Sequence, residues 1–206
     1  MRMFKTSKNY MPTYILIAAN VAVYAWTSFL SGNALEMSDY ALMQYGQYNP
    51  LVLNGEVWRL FTAMFVHANI AHIVGNMLFL FIYGLRAERM FDLKEYLAMY
   101  LLSGLTGGAL TLLSGPDTLS IGASGAIFGI LGATIIYARR AIHQSIMSAL
   151  MFAIFLFLFN LGPNVNYLAH LGGLAIGLLI GYVLGSTRKP QQTVTYQHDY
   201  PYGYGR

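Results

Sequence analysis

Apolar residues run almost unbroken through six stretches of this chain, near 12–30, 66–85, 95–114, 124–138, 144–161 and 166–185, and polar residues gather in the seams between them. Crossing about 30 Å of hydrocarbon takes a helix of roughly 20 apolar residues. The pattern therefore predicts an all-α, polytopic bundle of six membrane-spanning helices. The fourth stretch is short for a crossing, which makes its end a point of interest.

Two regions break the pattern. In residues 31–57, Glu36, Asp39, Gln44, Gln47, Asn49 and Pro50 alternate with Leu42, Met43, Tyr45, Tyr48 and Leu51. That mixture suits a structured loop lying partly dipped in the lipid interface. Beyond Gly185 the chain turns polar and Tyr-rich, with too little aliphatic content for a core. The expected organisation is an N-terminal segment at 1–11, a six-span membrane domain at 12–185 and a flexible tail at 186–206.

Composition agrees: 56% of residues are hydrophobic and 10% charged, too apolar a balance for a soluble domain. The formal charge of +4 is a matter of topology. Eleven of the twelve Lys and Arg residues fall on one side of the six-span arrangement, and only Arg59 falls on the other. By the positive-inside rule both termini are expected in the cytoplasm of a cell-membrane, multi-pass protein, and the charge is not the footprint of a nucleic-acid partner. The basic segment before the first apolar run reads as an uncleaved anchor. There is no cysteine, which excludes disulfides, thiolate catalysis and Cys-ligated metals.

The chemistry sits where polar groups enter apolar sequence. Ser124 opens the fourth stretch in Gly122-Ala123-Ser124-Gly125, and His170 lies in the sixth, in Ala169-His170-Leu171-Gly172-Gly173. From Ser124 to Arg139 the helix rises about 22 Å, so Ser124 falls below the far surface of the bilayer. The same count places His72 and His170 about 21 to 24 Å from the basic end, at the level of Ser124. Asn76 follows His72 by one turn on the same face, and His67 sits nearer the outer rim.

A helix that begins inside the bilayer leaves its first N–H groups without intrahelical partners, which makes that end a site for an anion or oxyanion. Gly173, Gly177, Gly181 and Gly185 recur every fourth residue, and Gly125, Gly129 and Ala133 form a similar stripe, so the fourth and sixth helices should pack backbone to backbone. His170 lies on the glycine face and turns toward Ser124. Taken singly, each residue has a plainer reading. A membrane serine is usually a packing residue bonded to its own helix, a lone histidine can relay protons, and His72 and Asn76 can tie helices together.

As a set, the residues resemble the rhomboid family of intramembrane serine proteases. The matching elements are Trp58-Arg59, His67-x4-His72-x3-Asn76, Gly122-x-Ser124-Gly125 and Ala169-His170-x2-Gly173-x3-Gly177, in family order over roughly residues 10 to 185. The resemblance implies a serine endopeptidase whose partners are transmembrane segments of other proteins in the lipid bilayer. It implies no cofactor and no metal, and an active site opening to the extracytoplasmic side. Ser124 would attack the scissile carbonyl and His170 would take and return the proton. His72 and Asn76 would hold the oxyanion with the backbone around Ala123 and Ser124. Phe128 stands where the family often has tyrosine, retaining a stacking face without the hydroxyl.

Several further expectations follow from the residues. His67 should bond the first outer loop, Trp58 should anchor at the interface, Arg59 should clamp a loop, Asp117 should be a turn residue, and Glu88 should form a boundary ion pair with Arg86 or Arg89. The Phe-rich fifth stretch, with the loop at 161–167, is the candidate gate for a substrate entering sideways. A channel or ion-coupled transporter would need charged residues inside the bundle, and the second, fourth, fifth and sixth stretches have none. No His-Glu-x-x-His zinc motif and no pair of intramembrane aspartates is present.

Overall fold

The computed structural model describes residues 11–141, 147 and 165–188. The expected fifth span and the gate assigned to it lie, Met147 and residues 165–167 apart, outside the described residues, as do 1–10 and 189–206. The described chain is a helical bundle. Four of its helices are long and apolar enough to cross a membrane: α1 (Pro12–Ser31), α5 (Ile70–Glu88), α6 (Leu93–Thr111, continued by a 3-10 turn to Ser114) and α8 (Tyr167–Thr187). The shorter α7 (Ser124–Ala141) fills the centre, and Gly125 to Ile135 are all buried. A helix buried on every face carries no amphipathic stripe, which is why its pattern reads as uniformly apolar.

Helix ends follow local chemistry. Pro12 opens α1, where its missing N–H costs nothing, and Gly32 closes it in the left-handed conformation at φ 62°. Asp92 and Glu95 cap α6 reciprocally, a full capping box. α5 starts at Ile70, four residues later than the apolar stretch. The side chain of Asn69 accepts from His72 N, and the preceding segment is extended: Met37 N donates to Ala68 O and Ile70 N to Leu35 O. Val66, fully buried, extends the apolar run upstream without being helical.

The first loop is structured as expected, carrying α2 (Asp39–Tyr45), strand β1 (Gln47–Tyr48) and α3 (Asn49–Leu53), and is followed by α4 (Arg59–Thr62). β1 pairs antiparallel with β2 (Leu119–Ser120), Gln47 facing Ser120. Polar side chains fasten this loop to the bundle. Gln47 donates to Gly108 O at 2.8 Å, and Asn49 donates to Thr111 O and Gly115 O. Arg59 is the expected clamp, and its partners are the carbonyls of Met43, Gln44 and Gly46 together with Glu56. Trp58 is half exposed beneath that guanidinium, which lies 4.6 Å from its ring centre.

At the basic end, Arg188 joins α8 to α6 through the Glu95 carboxylate and reaches Met90 O and Tyr137 Oη. The bond of Glu88 is not the expected ion pair: its carboxylate accepts from Thr13 N at 2.9 Å, satisfying one of the orphan donors of α1. Inside the bundle, Asn20 donates to Leu16 O, and Thr13 pairs with the Tyr96 hydroxyl.

Candidate active site

Small residues bring α7 and α8 together. A Cβ on Gly173 would overlap the Gly125 carbonyl, one on Gly177 that of Gly129, and one on Gly181 that of Ala133. The stripe read from sequence is thus the contact itself, because lipid offers no hydrophobic drive for helix association and close van der Waals packing must supply it. The spacing leaves room on α8, one turn before Gly173, for an imidazole turned inward.

That imidazole meets Ser124. His170 Nε2 lies 2.8 Å from Ser124 Oγ, a hydrogen bond between the first residue of α7 and a residue one turn into α8. The ring is 5% exposed. Phe128, one turn along α7 from Ser124, stacks on it with centroids 4.6 Å apart and planes inclined at 24°. Among the described residues Nδ1 has no partner. The ring is therefore oriented by the Phe128 face, the Ser124 hydroxyl and the helix packing, with no carboxylate of the described residues bonded to it. Asp117 takes a hydrogen bond from the Tyr48 hydroxyl in the outer loop.

His72 approaches the same point from α5. Gly122 has φ of 113°, and a Cβ there would sit 2.8 Å from His72 Nε2 and 3.9 Å from Ser124 Oγ. Only glycine suits this position, both for its backbone conformation and because the His72 ring occupies the space. Gly122 N donates to Ala63 O, fixing the entry into α7, and Ala123 is fully buried behind it. Asn76 gives one amide hydrogen to His72 O at 2.9 Å, which leaves its second to point elsewhere. A cavity of about 310 Å³ lies between α5 and α7, lined by His72, Gly75, Asn76, Ser124 and Phe128 among others.

His67 does not bond the first loop. Its Nδ1 lies 3.2 Å from Phe65 O, its Nε2 has no partner among the described residues, and its ring meets His72 edge-on at 5.0 Å. Fully buried, it backs the His72 ring. Among the described residues no three His, Asp or Glu side chains converge as metal ligands would.

The Rhomboid domain family model matches residues 54–187, nearly two thirds of the chain and every one of these elements. The chain belongs to the rhomboid family. It is 32% identical to RHOMBOID-like protein 1 of Arabidopsis thaliana over 98% of its own length and 60% of that protein's. It is 37% identical to the Arabidopsis RHOMBOID-like protein 6, mitochondrial, over 66% of the chain and 47% of the relative. To Rhomboid-like protease 3 of Toxoplasma gondii it is 31% identical over 80% of the chain and 66% of the relative. The chain thus spans about half to two thirds of the length of these relatives.

This rhomboid also holds residues that sequence patterns passed over. Asn166 caps α8 four residues before His170 and bonds to two other segments of the site region. Its signal was available, since an Asn immediately before an apolar helix is a start marker. Ser103 on α6 is fully buried against Gly129, where a Cβ would overlap it, and nothing in its sequence context marks it.

Proposed function

We propose that this rhomboid is an intramembrane serine endopeptidase that cleaves transmembrane segments of other membrane proteins through a Ser124–His170 dyad. The observation that carries the reading is the 2.8 Å approach of His170 Nε2 to Ser124 Oγ, with Ser124 on the lining of a cavity that also takes in His72 and Asn76. His170 takes the hydroxyl proton as Oγ attacks the scissile carbonyl, then delivers it to the leaving amine. A water molecule repeats the sequence on the acyl-enzyme and releases the second product.

The developing oxyanion is held by the second amide hydrogen of Asn76, by His72 and by N–H groups at the start of α7. Those helix N–H groups have no intrahelical acceptors and point along the helix dipole toward the negative charge. His67 and Phe128 hold the two imidazoles in place, and Gly122, Gly125, Gly173 and Gly177 permit the approach of the segments that carry them. The membrane domain at 12–185 lies with its basic end in the cytoplasm, so the site opens to the extracytoplasmic side. On that orientation the end of α8 at Thr187, and Arg188 bonded to Glu95, stand on the cytoplasmic side.

The deciding experiment is incubation of the purified protein in detergent with a single-span substrate. Cleavage by the wild type and none by folded Ser124→Ala supports the assignment. Normal turnover by that variant overturns it.

A further inference from the structure

Resting on the dyad reading, we infer that Asn166 is a positioning residue that sets the distance between Ser124 and His170. Nucleophile and base lie on different helices, so their separation depends on whatever joins the segments leading into them. Asn166 joins three. Its Nδ2 donates to Thr111 Oγ1 at 2.7 Å, at the end of α6, and to Ser120 Oγ at 2.9 Å, on β2 four residues before Ser124. Its Oδ1 accepts from Ala169 N at 3.1 Å, and its carbonyl accepts from His170 N at 3.3 Å.

Both amide hydrogens of the side chain and its amide oxygen are engaged. An asparagine amide has two N–H donors and one carbonyl oxygen, and here each finds a partner on a different segment. Thr111 is fixed in turn, because its hydroxyl donates to Gly107 O. Ser120 is held through the pairing of β2 with β1, and Gln47 of β1 is anchored on Gly108. The amide thus refers both the base helix and the nucleophile strand to one framework on α6. None of these atoms contacts the Ser124 hydroxyl, so the effect acts through placement. Misplacement by about 1 Å in such a constellation costs up to a hundredfold in rate.

The test separates this bridge from the helix cap. Asn166→Ser keeps a capping hydroxyl but is too short to reach both acceptors, and the pair Thr111→Val with Ser120→Ala removes the acceptors while leaving Asn166 intact. Each is compared with the wild type in detergent by the rate of Ser124 labelling with a fluorophosphonate, by kcat and KM on a single-span substrate, and by thermal midpoint. Asn166→Ser and the acceptor pair should each lower kcat and the labelling rate about ten- to a hundredfold, with KM within about twofold and the midpoint within about 3 °C. The triple variant should be no slower than Asn166→Ser alone. Wild-type labelling in Asn166→Ser, a lowered midpoint with unchanged rates, or a triple variant showing the product of the separate effects overturns the role. Ser124→Ala in the same assay keeps the two readings apart: if it cleaves normally the dyad fails, and if it is dead while Asn166→Ser is normal, only the positioning role fails.

Discussion

Gly173 on α8 lies against the carbonyl of Gly125 on α7 with no space for a Cβ between them, one turn from the point where His170 meets Ser124. Helix packing and the candidate chemistry are thus one arrangement. Gly173→Ala must push the helices apart or twist α8, and overpacking of this kind costs about 1 to 3 kcal/mol. The expected result is a lowered thermal midpoint together with slower fluorophosphonate labelling of Ser124. Gly75→Ala is the control, because its added Cβ would meet open space beyond its own helix backbone, and its midpoint should stay near that of the wild type.

If Ser124 and His170 act as a unit, their losses do not add. Ser124→Ala and His170→Ala should each abolish cleavage, and the double variant should be no worse than either, because removing one member of a nucleophile and base pair already removes the function of both. The measurement is residual turnover of a single-span substrate, with circular dichroism to establish folding. Residual rates that multiply in the double variant would mean the two residues act independently.

The parts of this site legible in sequence were those with a period or an intrusion of polarity. The glycine stripe predicted the α7–α8 contact because fourfold spacing puts small residues on one helical face, and Ser124, His72, Asn76 and His170 stood out as polar groups in apolar runs. The connections between loops and bundle were not legible. Gln47 to Gly108, Asn49 to Thr111 and Arg59 to Met43 and Gly46 are bonds from side chains to distant backbone carbonyls, and such pairs leave no spacing to read. The late start of α5 escaped for a related reason: Val66 and Ala68 extend the apolar run upstream, but Ala68 O and Ile70 N pair with Met37 and Leu35 of the first loop.

The oxyanion assignment predicts a loss confined to rate. Asn76→Ala and His72→Ala should lower kcat by about ten- to a thousandfold, a range that reaches below the loss of one oxyanion donor in a soluble protease, while KM changes little. Asn76 also ties its own helix through His72 O, so thermal midpoints accompany the kinetics. A shift in midpoint with unchanged kcat would make both residues helix ties and nothing more.

Phe128 stacks on the His170 ring without offering a hydrogen bond. Phe128→Ala removes the surface that fixes the ring plane and leaves a cavity beside it, so kcat should fall about tenfold or more, and stability by about 3 to 5 kcal/mol if the site cannot collapse. Phe128→Leu fills much of the volume but has no flat face. It should recover most of the stability and little of the rate. Equal recovery of both would assign Phe128 to packing alone.

Among the described residues Arg59 is the one Lys or Arg at the end of the bundle that holds the site, and its side chain is 7% exposed while bonding three carbonyls and Glu56. Those carbonyls close α2 and enter β1, which pairs with the strand leading toward Ser124. Arg59→Ala leaves the buried Gly46 carbonyl without this donor, at a cost of about 1 to 3 kcal/mol where water cannot replace the guanidinium, and opens the partly buried carbonyls of Met43 and Gln44 to water. Arg59→Lys retains the charge but not the planar fork that reaches several acceptors at once, so it should not restore the loop. Both variants should lower the thermal midpoint and speed protease nicking within residues 31–57. A Lys variant as stable as the wild type would show that charge alone holds the loop, and that the fork geometry is incidental.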